Sequence, residues 1–454
     1  MSQSPRTHKG AGALFALALS VLWLSLDGAG QQYGMGGTEN GEWRHYTGSL
    51  DGSRYSPLDQ IDASNFNDLE VAWRLKTDSF GNRPEFKLEG TPLMINGVLY
   101  TTAGTRRAGI AIDAKTGERI WHFQFVHHGI WDYDIPTAPA LVDLTVEGRS
   151  IKAVAQVTKQ AFTYVFDRVT GEPVWPIEER PVPQSDVPTE ELSPTQPFPT
   201  WPLAYERQGL TVDDLIDYTP ELREEALEII SQYKIGPIFN APIHMGHPSG
   251  LRSFVSCPSG ATNINGPSSA DPELGILFVS SNAGCRSERL VPGESIDIPD
   301  DIMTTGTTYS EFAVLDRGNF RGPQGLPIFQ PPYGRITAID MNTGEHLWWI
   351  PNGDTPDRIQ NHPALQGVDI PVTGKTSKAI TLVTRTLLMT AEGATGDPLL
   401  HAIDKQTGEQ LGSVELPNPG QYGMMTYMHE GNQYVVVQIG GADYPGSLAA
   451  LRLP

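Results

Sequence analysis

The sequence predicts an all-β fold of repeated blades, and three observations support this. A unit of pattern small-x-Asp-x-x-Thr-Gly-x-x-x-Trp recurs along the 454-residue chain. Glycine and proline are abundant, at 47 and 37 residues, as expected for many short strands joined by turns. Neighbouring copies lie about one blade length apart. Together these features predict a β-propeller of four-stranded blades. The copies occupy 111–121, 165–175, 338–348 and 402–412.

Each copy of the unit is predicted to form a strand, a tight turn and a second strand. The Asp accepts hydrogen bonds from N–H groups of the turn, and the Gly adopts a positive φ at little steric cost. The small residue and the Gly leave flat gaps, into which an indole from a neighbouring sheet can wedge. The last copy has Gly412 where the others have Trp.

The spacing of the copies limits the number of blades. Asp113 and Asp167 are 54 residues apart, and Asp340 and Asp404 are 64 apart. Each interval suits one blade of roughly 40–50 residues plus a loop. The middle interval of 173 residues must hold further blades or long insertions. We expect about five or six blades.

The N-terminal segment predicts export. Arg6 and Lys9 precede an apolar run over 11–26, and small residues follow at 28–30. We therefore interpret 1–30 as a signal peptide and expect a periplasmic protein. An uncleaved anchor is the alternative, although the run is short for a membrane span of about 20 residues.

The remainder, 31–454, is predicted to be one propeller domain. Segments rich in proline and polar residues near 176–250 and 286–330 are predicted to be insertions that wall a site on one face of the ring. Apolar runs and turn residues also predict several elements. These are strands at 71–73, 138–142, 153–157 and 162–166, a hairpin over 91–103, a long loop over 176–205, and a helix over 221–233 opened by Pro220.

Composition narrows the choice of partners. The chain has 32 basic and 53 acidic residues, a net charge of −21, which argues against nucleic-acid binding. Cys257 and Cys285 are the only cysteines, and both lie at the edges of strand-like runs. In an oxidising compartment they can form a disulfide if adjacent strands bring them within reach.

Several further stretches resemble one family, the quinoprotein dehydrogenases that use pyrroloquinoline quinone, and its glucose dehydrogenase-like branch most of all. The repeated unit resembles that family's tryptophan-docking motif. The other matching stretches are 54–58 (Arg-Tyr-Ser-Pro-Leu), 127–136 (His-His-Gly-Ile-Trp-Asp-Tyr-Asp-Ile-Pro), 193–198 (Ser-Pro-Thr-Gln-Pro-Phe), 425–427 (Met-Thr-Tyr) and 433–434 (Gln-Tyr).

The resemblance implies an eight-bladed ring that holds the quinone and a divalent cation, Ca²⁺ or Mg²⁺. It implies a sugar or alcohol substrate and a respiratory quinone or cytochrome as electron acceptor. Asp132 matches the family's general base, which takes the hydroxyl proton while hydride leaves carbon. Lys159 matches the lysine that stabilises charge on the quinone oxygens. Asn282 is the candidate for an amide beside the quinone, provided that the strand register shifts.

The chain departs from the family in one region. Tyr100 and His127 are 27 residues apart, where relatives normally have about three more blades. The region that carries the family's metal ligands is therefore missing, and we assign no metal ligand. His127, His128, His244 and His247 also suggest a metal site. His244 and His247 have a plausible metal-ligand spacing, but no third ligand is near them in sequence, so we interpret that pair as polar loop residues.

Three alternatives follow from this departure and from the residues themselves. The first is a non-catalytic propeller scaffold, and the second is an inactive truncated paralogue. The third, a glycosidase that uses Asp132 and Asp134, is disfavoured because two carboxylates so close in sequence need not flank a sugar bond.

Overall fold

A computed structural model describes most of the chain after its N-terminal segment. The described residues are 37–49, 52–76, 91, 93–95, 98–100, 123–133, 135, 137, 139–262, 268–292, 312–314, 318–441 and 444–454. They belong to one structural unit, Met35–Pro454. The predicted signal peptide at 1–30 and the first repeat at 111–121 lie outside the described residues. None of the described helices is both long enough and apolar enough to span a membrane.

Short strands dominate the described part of the chain. In chain order they are β1 Tyr55–Ser56, β2 Glu70–Lys76, β3 Leu93–Ile95, β4 Val98–Tyr100, β5 Ala140–Val146, β6 Arg149–Val157, β7 Thr163–Asp167, β8 Ile177–Pro181, β9 Thr195–Pro199, β10 Tyr233–Lys234, β11 Ser253–Ser256, β12 Ser269–Asp271 and β13 Ile276–Asn282. The others are β14 Arg286–Glu288, β15 Leu290–Pro292, β16 Phe312–Val314, β17 Gly318–Asn319, β18 Gly334–Asp340, β19 His346–Pro351, β20 Ile380–Thr384, β21 Leu388–Ala391, β22 Leu399–Ile403, β23 Gln410–Glu415, β24 Gly420–His429, β25 Asn432–Gly441 and β26 Tyr444–Arg452.

Helices are few and short among the described residues. The α-helices are α1 Pro220–Ile230 and α2 Asp357–Gln360, and 3₁₀ turns occur at Glu39–Gly41, Phe66–Asp68, Val212–Asp214, Pro323–Gly325 and Pro363–Leu365. The predicted helix is confirmed as α1, although it ends at Ile230 and Tyr233 belongs to β10. Its N-cap is Thr219, whose hydroxyl accepts a hydrogen bond from the Leu222 N–H at 3.2 Å.

Four sheets in the described part of the chain have the layout of propeller blades. Their strand orders are β5-β6-β7, β12-β13-β18-β19, β1-β20-β21-β22-β23 and β2-β26-β25-β24. In the last sheet, β2 from near the start of the chain pairs antiparallel with β26 at its end, from Glu70 opposite Arg452 to Lys76 opposite Ser447. This sheet therefore combines strands from both ends of the described chain. The predicted strand at 71–73 is confirmed as part of β2.

Three copies of the repeated unit form the same type of turn. Asp340 Oδ1 accepts a hydrogen bond from the Asn342 N–H at 2.8 Å, and the Gly344 N–H donates to the Asp340 carbonyl at 2.7 Å. Gly344 has a φ of +79°, which few other residues adopt without strain. The same bonds recur in the copies that contain Asp167 and Asp404. The predicted strand–turn–strand unit is confirmed in these copies.

A further turn of this kind joins β12 and β13, and the sequence pattern missed it. Asp271 Oδ1 accepts from the Glu273 N–H at 2.8 Å and the Leu274 N–H at 3.1 Å. The Gly275 N–H donates to the Asp271 carbonyl at 2.9 Å. The pattern required Thr before Gly, and this turn has Leu274 in that place. The turn therefore depends on the hydrogen bonds of the Asp and the Gly, and it does not require Thr.

Indoles join the blades as the sequence predicts. A Cβ atom placed on Gly408 would lie 2.8 Å from Trp348 Cδ2, and one on Gly344 would lie 3.4 Å from Trp175 Cζ2. Trp348 Nε1 also donates to the Lys405 carbonyl at 3.1 Å. Each of these two indoles lies against the turn glycine of the next repeat, and a side chain at position 408 would displace Trp348.

Apolar side chains fill the space between blades. Phe278 and Ile336 of one blade pack with Val383 and Leu388 of the next, and all four are buried. Burying a side chain of this size contributes roughly 1.5–3 kcal/mol. This packing and the indole contacts hold successive blades together.

The structure corrects one predicted element. Residues 176–205, predicted as a long loop, contain the hairpin β8–β9, in which Ile177 pairs with Pro199 and Pro181 with Thr195. Charged, largely exposed side chains on β8 and prolines on both strands hid the hairpin from the sequence pattern. The predicted hairpin over 91–103 is confirmed as β3 and β4, although its turn residues lie outside the described residues.

Candidate active site

The residues predicted to act in catalysis lie at one end of the blades. The Asp-Gly turns follow the last residues of β7, β18 and β22. The opposite ends of these sheets carry the predicted site residues. Lys159 lies in the turn that leads into β7, and Asn282 ends β13, opposite the first residue of β18. Asp132 precedes β5. The turn end and the site end of the blades are therefore distinct.

Two buried aromatic residues hold Asp132 in place. Trp131 Nε1 donates to the Asn240 carbonyl at 2.8 Å, and the Tyr133 hydroxyl donates to the Pro258 carbonyl at 3.0 Å. Between them, Asp132 has a φ of +61°, a region that non-glycine residues rarely occupy. Such backbone conformations cluster at functional sites, where the surrounding structure maintains them.

A second family-like motif supports the segment that carries Asp132. The Gln196 side chain accepts from the His127 N–H at 2.8 Å and donates to the His127 carbonyl at 2.6 Å. Gln196 is fully buried. The stretches 127–136 and 193–198, noted separately in the sequence, therefore contact each other through this amide.

Lys159 lies beside Asp132. Its turn is closed by Thr158, whose hydroxyl accepts from the Phe162 N–H at 3.2 Å. The Lys159 carbonyl accepts from the Ala261 N–H at 2.9 Å. Lys159 Nζ is 3.6 Å from Asp132 Oδ1, and the lysine side chain is only 9% exposed. The structure thus brings together the predicted base and the predicted quinone-contacting lysine, while their catalytic roles stay predictions.

Arg286 is a second cation at Asp132, and the sequence did not indicate it. Its Nη1 is 3.4 Å from Asp132 Oδ2 and 3.5 Å from Glu288 Oε1, and its Nη2 is 3.5 Å from the Ser259 carbonyl. Glu288 is fully buried and accepts from the Ser256 hydroxyl at 2.9 Å. No motif surrounds Arg286, since only the folded sheet brings β14 to Asp132.

A disulfide lies next to Arg286. Cys257 and Cys285 are bonded, with their Cα atoms 4.5 Å apart. Cys257 directly follows Ser256, and Cys285 directly precedes Arg286. Ser256 and Arg286 are paired between β11 and β14. The predicted disulfide is confirmed, and it links the two strands at the point where Arg286 enters the site.

Lys378 completes the group of cations. It lies just before β20 and is partly buried. Burial, together with repulsion from Lys159 and Arg286, lowers the pKa of Lys378 to about 8. Lys378 is not predictable from the sequence, because it belongs to no motif and reaches the site only through the packing of successive blades.

Asn282 anchors the loop that carries Lys378. Its Nδ2 donates to the Thr376 carbonyl, and its Oδ1 accepts from the Gly284 N–H at 2.5 Å. Asn352 Nδ2 adds a bond to the Ser377 carbonyl at 2.9 Å. The ladder of β13 and β18 runs without a register shift up to Asn282. Asn282 therefore has a positioning role here, and its contact with a quinone stays a prediction.

Two buried polar atoms next to the predicted residues have no hydrogen-bond partner among the residues that the structure describes. They are Ser280 Oγ and Gln160 Oε1. Ser280 lies on β13, and Gln160 follows Lys159. Buried polar atoms are rarely left unpaired, so these two are open positions for a ligand or an ordered water.

The histidines considered as metal ligands have other partners. Within the described ranges, no group of three or more His, Cys, Asp or Glu side chains is placed to hold a metal ion. The contacts are His127 Nε2 with Glu179 Oε1 at 3.0 Å, His128 Nε2 with Glu190 Oε1 at 2.6 Å, His244 Nδ1 with the Met245 carbonyl at 2.9 Å, and His247 Nε2 with Asp186 Oδ2 at 2.8 Å.

Blades joined by indole–glycine contacts, with a charged site at one end of their strands, define a β-propeller whose loops build a single site. The chain belongs to the pyrroloquinoline quinone (PQQ) dehydrogenase family, because the family model described as "Glucose/ethanol/alcohol dehydrogenase, beta-propeller domain" matches residues 43–109 and 107–435. The two matches meet where the sequence predicts the loss of blades. Members of this family use PQQ, typically with a divalent cation.

Named relatives include several quinoprotein dehydrogenases. The chain is 31% identical to quinoprotein glucose dehydrogenase of Escherichia coli (strain K12), over 73% of this chain and 42% of that protein. It is 32% identical to the glycerol dehydrogenase large subunit of Gluconobacter thailandicus, over 74% and 47%. It is 30% identical to a probable quinate dehydrogenase (quinone) of Xanthomonas campestris pv. juglandis, over 73% and 42%. The chain spans less than half the length of these relatives.

Solved structures show the same fold. A europium-containing methanol dehydrogenase superposes with a TM-score of 0.54 at 14% identity, covering 91% of this chain and 98% of that one. Quinohemoprotein alcohol dehydrogenase from Comamonas testosteroni superposes with a TM-score of 0.53 at 14% identity, covering 94% and 82%. The predicted β-propeller is confirmed.

Proposed function

We propose that this chain is a PQQ-dependent dehydrogenase that oxidises a hydroxyl group of a sugar or an alcohol. The observation that carries the proposal is the position of Asp132, whose two carboxylate oxygens face Lys159 at 3.6 Å and Arg286 at 3.4 Å. A carboxylate beside fixed cations is the arrangement that removes a proton where negative charge develops on a neighbouring acceptor.

The residues present suit the cofactor. PQQ is a planar ortho-quinone that carries carboxylates, and the site offers three cations, Lys159, Arg286 and Lys378. The unpaired Ser280 Oγ and Gln160 Oε1 add two hydrogen-bond positions. When bound, the quinone supplies the acceptor for the hydride that leaves the substrate carbon.

Asp132 is the proton acceptor in this proposal. Its backbone is fixed between the buried Trp131 and Tyr133, so its carboxylate is already directed towards the cations before a substrate arrives. This fixed orientation lowers the entropic cost of reaching a reactive geometry. The substrate hydroxyl donates its proton to this carboxylate.

Lys159 is the stabilising cation. Its aliphatic stem is buried and its ammonium group is held at the site by the Thr158 turn. A cation in such a poorly hydrated position interacts more strongly with developing negative charge than it would in water.

The test uses the full purified chain, incubated with PQQ and CaCl₂. Quinone binding is followed by absorbance, and turnover by reduction of an artificial electron-accepting dye with glucose, glycerol or ethanol. Asp132→Asn should reduce turnover about 10²–10⁴-fold, the range that one general base contributes, while quinone binding persists. The control is Asp143→Asn, at an exposed aspartate of β5.

Turnover that survives Asp132→Asn at the level of the Asp143→Asn control would contradict the proposed base. A wild-type chain that binds the quinone without any turnover would instead favour the non-catalytic scaffold or the inactive paralogue.

We further propose that the protein is exported to the periplasm and passes electrons to a respiratory quinone or cytochrome. The Cys257–Cys285 disulfide supports this location, because disulfides persist mainly in oxidising compartments. Thiol alkylation of the protein taken directly from its native cells tests the location. Export predicts two protected cysteines, which react only after reduction.

A further inference from the structure

We propose that Lys378, with Arg286, binds a carboxylate group of the molecule that occupies this site. The inference rests on the proposed function only in treating the site as a ligand site. It adds a chemical requirement, a carboxylate, that the assignment of Asp132 and Lys159 does not supply.

Among the residues that the structure describes, the cations at the site outnumber the carboxylates. Cations come from three segments, at Lys159, Arg286 and Lys378, and the carboxylates that contact this group are Asp132 and Glu288. Both oxygens of Glu288 have partners, one with Arg286 at 3.5 Å and one with the Ser256 hydroxyl at 2.9 Å. Asp132 faces Lys159 and Arg286, and no carboxylate in the described part of the chain is left as a counter-charge for Lys378.

Other buried lysines in the described part of the chain are paired with a carboxylate of the protein. Lys159, Lys375 and Lys405 are buried, and each has a protein carboxylate within 4 Å. Within the same described residues, no acidic side chain forms an ion pair with Lys378. A partly buried ammonium group without a counter-ion is costly. A carboxylate from a bound molecule would remove that cost.

The protein holds Lys378 where it is. A Cβ atom placed on Gly393 would lie 2.3 Å from the Lys378 carbonyl oxygen, so the backbone packs closely there. The preceding Ser377 is bonded to Asn352, and Thr376 to Asn282. Three contacts therefore position this short segment, and Lys378 is not on a freely moving tail.

The local charge contrasts with the charge of the whole chain. The protein carries a net charge of −21, and yet three cations converge on the site. A general preference for basic residues cannot explain this cluster. A local excess of positive charge in an acidic protein is selective for an anion.

A carboxylate can come from two sources, the quinone itself or a hydroxy-acid substrate. Gluconate and sorbitol are suitable probes, because they share one carbon chain and differ in a carboxylate against a neutral CH₂OH group. Isothermal titration calorimetry on the full chain without quinone should show gluconate binding at least about tenfold more tightly than sorbitol, as expected for one charge-assisted contact.

Three variants make the test specific. Lys378→Met should abolish the preference for gluconate, and Lys378→Arg should retain it because the charge is kept. Lys152→Met is the matched control, since it removes one exposed lysine from β6 and should leave the preference unchanged.

A second titration, with PQQ as the ligand, identifies the source. If the quinone supplies the carboxylate, Lys378→Met weakens quinone binding about tenfold and bound quinone excludes gluconate. If the substrate supplies it, quinone affinity is unchanged and gluconate binds the quinone-loaded chain. The proposal is overturned if Lys378→Met and Lys152→Met behave alike with both ligands.

These outcomes are separable from those of the proposed function. A chain that binds gluconate through Lys378 but never binds the quinone retains the carboxylate site and loses the dehydrogenase assignment. A chain that oxidises neutral alcohols with the quinone, and whose gluconate and quinone affinities do not change in Lys378→Met, retains the dehydrogenase assignment and loses the carboxylate site.

Discussion

Two lysine–aspartate pairs lie at opposite ends of the blades and differ in the distance between their charged groups and in their exposure. At the turn end, Lys405 Nζ is 2.5 Å from Asp271 Oδ2 and also donates to two backbone carbonyls at 3.0 and 2.7 Å. All three donors of that ammonium group are used. At the site end, Lys159 Nζ is 3.6 Å from Asp132, which it shares with Arg286.

The two ion pairs differ in function: one joins two blades, and the other lies at the candidate active site. Lys405 and Asp271 lie in turns of adjacent blades, and their buried contact, with the Trp348 indole beside it, is a joint between those blades. Lys159 and Asp132 are farther apart, and the Asp132 side chain is 36% exposed. The first pair is closed and structural, whereas the second is open to a ligand.

The comparison first predicts a large effect on activity at the site end. Lys159→Met should lower turnover with PQQ about 10²–10³-fold, because it removes a preorganised stabiliser of negative charge. Thermal unfolding should change little. Dye-reduction assays and calorimetric melting on one preparation provide the measurement. A variant with normal turnover would contradict the role given to Lys159.

At the turn end the expected effect is on stability. Lys405→Met should lower the free energy of unfolding by about 3–5 kcal/mol, because it leaves the buried Asp271 carboxylate without its partner. Denaturant titration measures this. The double variant Lys405→Met/Asp271→Asn should recover most of the loss, since no buried charge is then left unpaired and the Asn Oδ1 can still accept the two hydrogen bonds of the turn. If Lys405→Met lowers the free energy of unfolding no more than Lys152→Met does, the Lys405–Asp271 pair does not stabilise the contact between the blades.

A smaller loss of stability is expected from the disulfide. Cys257→Ser/Cys285→Ser should lower the free energy of unfolding by about 3 kcal/mol, the usual scale for a loop of this length, since 28 residues separate the cysteines. It should also weaken quinone binding, because Arg286 follows Cys285 directly. Unchanged quinone affinity in the folded double variant would show that β14 positions Arg286 without the cross-link.

The smallest expected effect has the opposite sign. Lys378→Met should stabilise the ligand-free chain at pH 7 by about 2 kcal/mol, a value reduced for partial exposure from the full pKa shift. The folded pKa of about 8 lies below the unfolded value of about 10.4, so the charged group opposes folding. This cost is complete below pH 8 and disappears above the unfolded pKa. Destabilisation at pH 7 would contradict it.

The same group predicts a pH dependence of anion binding. Gluconate affinity should fall as the pH rises through about 8, because Lys378 then loses its proton. The charged groups that face it are Lys159 and Arg286, with Asp132 between those two. Bound carboxylate should raise the pKa of Lys378, so the fall should shift to higher pH with saturating gluconate. Calorimetry across this range measures both effects.

The turn end of the blades was readable from the sequence because its bonds are local. Each Asp, its Gly and the residues they bond lie within five positions, so a short pattern contains the whole turn. The pattern failed at Asp271 because it relied on Thr, which the backbone bonds do not require. It also failed at β8–β9, whose charged and proline-containing strands do not alternate as buried strands do.

The site end was readable only where a motif survives. Asp132 and Lys159 were predicted through their family-like stretches, and the fold brings them together. Arg286 and Lys378 belong to no motif, because their proximity depends on the register of β14 and on the loop before β20. Asn282 was chosen by sequence position alone, and the structure shows its amide bonded to Thr376 and Gly284.

Titration of the purified chain with PQQ, followed by visible absorbance, tests the open site most directly. We predict saturable binding of one quinone per chain, weakened at least about tenfold by Lys159→Met and unchanged in folded Lys405→Met. An absence of saturable binding at micromolar quinone, or equal weakening by both substitutions, would contradict a quinone site at the Asp132 end of the blades.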